Sequence, residues 1–135
     1  ALIIAEKPSV AADIAKALMS IGAVKAVEIG AGIRAPEMTG FENNDQIFSD
    51  GFQTNHSGGI LAGISNGDDI IARVHVKPIP SILKPQQTID EKGSSIEIST
   101  EGRHDICAIP RINKVCEAMM AIVLTDHLLR QKILG

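Results

Sequence analysis

The sequence predicts an α+β fold in which an antiparallel β-sheet packs against a short N-terminal helix and a long C-terminal helix. Three observations predict it. Apolar residues recur with helical period between Val10 and Ser20. They alternate with polar residues, the period-two pattern of half-buried strands, over 24–29, 70–76 and 95–99. Helical period then returns from about Pro110 or Arg111 and lasts to about Lys132. Residues 1–135 are ordinary in length for one domain, and the reading treats them as one.

Taken in order, Ala1-Leu2-Ile3-Ile4-Ala5 reads as a short strand, broken by Glu6-Lys7-Pro8-Ser9. Pro8 suits a first helical turn, and Ser9 suits a cap. In the helix that follows, Ile14, Leu18 and Ile21 share one face, with Val10 and Ala11 beside them. The strand at 24–29 sets Val24, Ala26 and Glu28 against Lys25, Val27 and Ile29, and Gly30-Ala31-Gly32 ends it. Residues 33–67 lack periodicity and are rich in Gly, Asn, Asp and Ser. A loop this long is uncommon in a compact domain and usually functional. It holds every large ring of the chain, Phe41, Phe48 and Phe52, which suit a flexible lid. Asn66-Gly67-Asp68-Asp69 is a turn signal before the strand at 70–76, which Lys77-Pro78-Ile79-Pro80 stops. Strands near Thr88-Ile89 and at 95–99 are joined by Asp90-Glu91-Lys92-Gly93. On the last helix Ile112, Cys116, Met119 and Val123 form one stripe, widened by Val115, Ile122 and Leu129. Residues 118–124 are apolar all round, which suits a helix buried between layers. Lys132 complements the helix dipole and Gly135 can end the helix.

Bulk properties exclude several classes. No apolar run approaches the roughly 18–20 residues of a membrane span. The N-terminus lacks the basic start and cleavage site of a signal peptide. A net charge of -3 gives no bulk reason to expect nucleic acid or an anionic membrane as partner. Cys107 and Cys116, if both on one helix, are separated by about 13 Å of rise, too far for a disulfide. No Cys/His cluster has zinc spacing, so no metal is expected. Reduced thiols favour the cytoplasm.

Three stretches carry chemistry. Gly102-Arg103-His104-Asp105 puts a fixed cation, an imidazole and a carboxylate between a strand and a helix. The Arg can pair with a phosphate or an anionic ring system, and the carboxylate can move protons. From residue types alone, a salt-bridged helix start is the plainer reading. Lys77-Pro78-Ile79-Pro80-Ser81 is a stiff ledge with one cation, or simply an edge strand closed by prolines. Asn55-His56-Ser57-Gly58-Gly59 with Ala62-Gly63 permits close backbone approach to a ligand and offers amides to a phosphate. It lacks the Walker and dinucleotide-binding spacings. Asn43, Asn44, Asp45 and Asp50 lack the spacing of a calcium loop. His75 and His127 read as packing or surface histidines.

Together these stretches resemble the C-terminal portion of chorismate synthase over about residues 11–135. The resemblance is carried by Gly102-Arg103-His104-Asp105, Glu117-Ala118-Met119 and Asp126-His127-Leu128-Leu129-Arg130-Gln131. It extends through Met19-Ser20-Ile21, Val27-Glu28-Ile29-Gly30, Asp50-Gly51-Phe52-Gln53, Asn55-His56-Ser57-Gly58-Gly59-Ile60, Gly63-Ile64-Ser65-Asn66-Gly67 and Lys77-Pro78. It implies a lyase that converts 5-enolpyruvylshikimate 3-phosphate to chorismate by anti 1,4-elimination of phosphate, using reduced FMN without net redox change. By resemblance, the flavin site takes Gly22, Ala23, Ala62, Lys77, Pro78, Ile79, Pro80, Ser81 and Arg103. Asp105 would be the catalytic residue, close to flavin N5 and helping proton transfer. Ile106 stands where the family commonly has Pro, and Asn113-Lys114 where apolar residues and Pro are usual.

The family's Gly-Glu-Ser-His-Gly segment, its Arg-rich substrate pocket and its Arg-Ser-Ser-Ala-Arg flavin segment do not occur in this sequence. Its catalytic histidines belong with them, so neither His56 nor His104 takes their place. The chain is therefore expected to carry only part of the site. An uncovered helix face is expected to drive self-association into a homo-oligomer. Residues 2–18 also resemble the opening of a topoisomerase–primase (Toprim) domain, with Glu6 after the first strand. The Asp-x-Asp metal motif of that family is absent, and a lone Glu6 cannot hold its magnesium. The double resemblance suggests a chimaera, with a non-catalytic engineered scaffold as the alternative and a Toprim-type nucleic-acid enzyme behind it.

Overall fold

The structure is a computed structural model that describes residues 9–134. The strand expected at 1–5 and Glu6 lie outside the described residues. The first element is helix α1 (Val10–Met19). Ser9 caps it, its hydroxyl accepting the Ala12 amide at 3.3 Å. Val10, Ile14 and Leu18 are buried, the last two completely, as the spacing of four requires. Tight turns after the helix, closed by Val24 N–H donating to Ile21 C=O at 2.8 Å, feed the chain into strand β1 (Val24–Ile29).

After β1 come a 3-10 turn (Gly32–Glu37) and two very short hairpins. These are β2 (Ile47–Phe48) with β3 (Gly51–Phe52), and β4 (Ile60–Leu61) with β5 (Ile64–Ser65). Strand β6 (Ala72–Val76) then returns antiparallel along β1. A third hairpin, β7 (Gln86–Ile89) with β8 (Ser95–Ile98), precedes helix α2 (Ile109–Leu134). The α+β class and the two helices match the sequence reading. The single sheet does not. The strands form four two-stranded antiparallel pairs among the described residues. Glycines at positive φ, including Gly51, Gly58, Gly59, Gly63 and Gly67, turn the chain too often for a longer ladder.

Simple alternation in β1 also fails. The register slips between Val24 and Ala26, so Lys25 is the extra residue of a bulge. Val24 is buried, and after the bulge Val27 and Ile29 face the same side, opposite Val74 and Ala72 of β6. Glu28, Arg73 and His75 are thereby left on the other side of the pair.

The core forms where α1, α2 and the β1–β6 pair meet. Val10, Ile14, Leu18, Ile60 and Cys116 make its buried centre. Ile112, Met119, Met120, Val123 and Leu124 pack on it from α2. Each fully buried Ile or Leu contributes on the order of 1.5–3 kcal/mol. The expected widening of the α2 stripe is not observed. Val115, Ile122 and Leu129 are 47%, 65% and 54% exposed. α1 covers one face of α2 only, so the uniformly apolar stretch has a single packed layer beside it. No helix among the described residues is long and apolar enough to cross a membrane.

Candidate functional site

The β6 strand ends at Val76, and the Lys77 amide donates to the Ala23 carbonyl at 2.8 Å. This bond ties the start of the proline ledge to the turn that follows α1. Pro78 and Pro80 have no N–H and fixed φ, so the ladder stops and the ledge leaves the sheet stiffly. Farther on, Gly102 at φ +125° turns the chain as it approaches α2. Such a φ suits only glycine.

Between the ledge and this turn lies an open polar groove of about 550 Å³, lined by Ile79, Ser81, Arg103, His104, Asp105 and Arg111. Arg111 comes from the first turn of α2, and its Nη1 lies 2.7 Å from Asp105 Oδ2. His104 Nε2 is buried without a hydrogen-bond partner. A buried polar atom left unpaired costs about 1–3 kcal/mol, so a group that supplied a partner would be favoured there. Two guanidinium groups, a carboxylate and an unsatisfied imidazole can together hold an anion and handle a proton.

The structure thus brings Ile79, Ser81, Arg103 and Asp105 into one lining. Lys77, Pro78 and Pro80 belong to the same ledge, and Gly22-Ala23 adjoin its start. Ala62 stands apart. It forms the β4–β5 turn with Gly63, at φ +51° and +84°. The Gly63 carbonyl accepts the Val10 amide at 3.0 Å, which places this turn at the N-terminal end of α1. Gly22-Ala23 follow its C-terminal end, about 15 Å away along the helix axis. Arg111 was not among the residues singled out from the sequence. The available signal was a cation in the first turn of a helix, where the dipole disfavours one.

The glycine segment does not form a phosphate cradle. The Gly59 amide donates to Asn55 Oδ1 at 2.7 Å, and the Gly58 amide to the Asn55 carbonyl at 3.3 Å. Its close approach is to the chain itself, since a Cβ on Gly30 would meet the His56 carbonyl oxygen at 2.1 Å. Asp45, weighed as a calcium ligand, organises this segment instead. Its carboxylate accepts the amides of His56 and Ser57 at 2.7 and 2.8 Å and the Thr54 hydroxyl at 2.7 Å. Partial burial opposes ionisation, but these donors outweigh it and hold the carboxyl well below the usual carboxylate range. No group of three or more potential metal ligands occurs among the described residues. Phe41 and Phe48 are exposed, while Phe52 lines a small cleft beside Asp45.

The two histidines read as structural do pair locally. His75 contacts Glu28, whose carboxyl is lowered by that bond and then by the Ile33 amide. His127, 13% exposed, reaches Asp13 at 3.1 Å and links α2 to α1. The Asp13 carboxyl is lowered chiefly by Lys16, with His127 adding to it.

A family model described as chorismate synthase matches residues 5–129. The match takes in most of the Toprim-like opening, Glu6 included. The chain is 68% identical over 124 residues to a chorismate synthase of Desulfosudis oleivorans, covering 92% of this chain and 35% of that protein. It is 62% identical over 120 residues to a chorismate synthase of Desulfatibacillum aliphaticivorans, covering 89% of this chain and 34% of that one. A solved crystal structure of chorismate synthase superposes with a TM-score of 0.68 at 35% identity, over 91% of this chain and 31% of the other. The chain therefore spans about a third of the length of the curated relatives it matches.

Proposed function

The chain belongs to the chorismate synthase family, and from that premise we propose that it supplies the C-terminal part of a site converting 5-enolpyruvylshikimate 3-phosphate to chorismate with reduced FMN. The observation that carries this reading is the groove that joins the proline ledge to Arg103 and Asp105. Its residues fit such a cofactor. Arg103 suits an anionic flavin or its phosphate, and the ledge offers backbone carbonyls held in place by two prolines. His104 Nε2 is unpaired and needs a partner. Lys77 to Ser81, Arg103 and the adjoining Gly22-Ala23 would hold the flavin. The groove reading assigns no contact to Ala62.

In the reaction a ring C–H bond and the C–O bond to phosphate break across a 1,4 relationship. A second ring double bond forms, and phosphate leaves with the electron pair of its bond. Reduced FMN, when bound, supplies an electron-rich ring that supports departure of the phosphate without net redox change. Asp105, a carboxylate lining the groove, would be the residue of this chain that holds or moves a proton beside a flavin bound there. Arg103 offsets negative charge beside it.

The exposed apolar residues Val115, Ile122, Leu128 and Leu129 of α2 support self-association into a homo-oligomer. The local cations Arg103 and Arg111 in the groove support a small anionic substrate. The net charge of -3 gives no support to nucleic acid or an anionic membrane surface as partner, and the free thiols Cys107 and Cys116 support a cytoplasmic setting.

The test is anaerobic titration of the purified chain with reduced FMN, followed by addition of 5-enolpyruvylshikimate 3-phosphate and detection of chorismate. Reduced FMN is expected to bind, with affinity falling about tenfold in Arg103→Ala, or roughly 1.4 kcal/mol. Turnover would make the chain sufficient for the reaction. A chain that folds as described but does not bind reduced FMN would sink the reading and leave a non-catalytic scaffold.

A further inference from the structure

The groove contains two arginines that differ in one respect. Arg111 pairs with Asp105 at 2.7 Å, whereas Arg103 forms no ion pair among the described residues. Arg103 is also only two positions from Asp105 in the chain. A carboxylate free to turn would be drawn to it and would silence its charge.

Arg111 sits where helix physics disfavours it. It lies in the first turn of α2, at the positive end of the helix dipole, with no acidic residue in that turn. Stability does not explain the pair with Asp105 either. The side chains are 78% and 48% exposed, and ion pairs this open contribute little. The Arg111 guanidinium approaches a single carboxylate oxygen, Asp105 Oδ2, as an ion pair, and this permanently charged group at the start of α2 draws the carboxylate toward the helix.

We propose that Arg111 is a positioning residue of the groove, holding the Asp105 carboxylate away from Arg103 so that Arg103 stays available to an anionic ligand. The proposal rests on the flavin reading above for the identity of that ligand. Arg111 acts through Asp105 and need not touch the flavin.

The test separates the roles by observing the guanidinium groups directly. In the wild-type chain, the Arg111 Nε–H resonance is expected to be ordered by NMR relaxation and that of Arg103 mobile. In Arg111→Gln, Asp105 turns to Arg103, whose Nε–H becomes ordered, and affinity for reduced FMN falls about threefold to tenfold. Arg111→Gln combined with Asp105→Asn frees Arg103 again and restores the affinity, which a merely structural role for Arg111 would not do. Arg111→Lys retains a positive charge on a more flexible stem and recovers the affinity only in part. The proposal is overturned if Arg111 is mobile in the wild type, if Arg111→Gln binds reduced FMN as the wild type does, or if the added Asp105→Asn recovers nothing. Should the wild-type chain bind no reduced FMN, the flavin reading fails, and the relaxation data still decide which arginine holds Asp105.

Discussion

The layer made by α1, β1, β6 and α2 and the arm spanning residues 77–105 are built on different terms. The layer contains buried residues from both helices and from β1, with Ile14 and Leu18 sealed completely. The arm contains none. Every residue of β7 and β8 is exposed, including Ile89 at 66% and Ile98 at 50%. The arm is shaped by three prolines, Pro78, Pro80 and Pro85, by the ladder between its strands and by a turn in which Asp90 Oδ1 accepts the amides of Lys92 and Ser94 at 2.9 and 2.8 Å. Most of the chemically interesting side chains stand on this arm. The core positions the arm at its two ends, through the Lys77–Ala23 bond and the start of α2, and leaves the interior to local devices.

Substitution in the core should break the layer with the largest effect. Ile14→Ala is expected to cost about 2–5 kcal/mol, because it removes sealed apolar volume and leaves a cavity. Ile98→Ala on the arm should cost well under half of that. Urea unfolding of the two variants measures the difference, and equal losses would show that the arm is packed as tightly as the layer.

Asp45 tests a third mode of construction, in which a carboxylate gathers loop amides. Asp45→Asn is expected to cost about 1–3 kcal/mol at neutral pH. The sign of the pH dependence follows from its lowered folded value. Its contribution is present above the ordinary carboxyl value of 3.8 and is lost as pH falls below it, toward the folded value. The wild-type chain should therefore lose stability relative to Asp45→Asn on acidification through that range. A constant difference between the two would contradict the assignment.

The smallest expected effect comes from the two thiols, which report on the two regions at once. Cys107 is exposed just beyond the arm, before α2, whereas Cys116 is buried in the core, where burial pushes its thiol up. Cys107 should react with a thiol reagent at least about tenfold faster in the folded chain, and the rates should converge in urea. Similar rates before unfolding would place Cys116 outside the core.

The layer was legible in the sequence and much of the rest was not, for definable reasons. The spacing of Val10, Ile14 and Leu18 and the stripe of Ile112, Cys116, Met119 and Val123 report one-sided burial directly. The hairpins inside residues 33–67 were missed because a two-residue strand has no period to detect. The Ala62-Gly63 pair, both at positive φ, was the available turn signal. Apolar character alone could not show that α2 has one covered face, so Val115, Ile122 and Leu129 were assigned inward. In the candidate site, the ledge and the Arg103–Asp105 stretch were legible through motif resemblance. Arg111 was not, because a cation at the start of a helix reads as a solvated helix residue until the groove beside it is seen.

The bulge at Lys25 has a consequence for how the site is placed. Val24 takes its inward orientation from the turn after α1, while Val27 and Ile29 take theirs from pairing with β6. These two requirements disagree by one residue, and Lys25 absorbs the difference. Across from it the chain leaves β6 and becomes the ledge, fastened by Lys77 to Ala23. The near wall of the groove is therefore indexed to the end of a helix, on the far side of the dislocation from the strand ladder. A shift of register along β1 and β6 can be taken up at the bulge before it moves that wall.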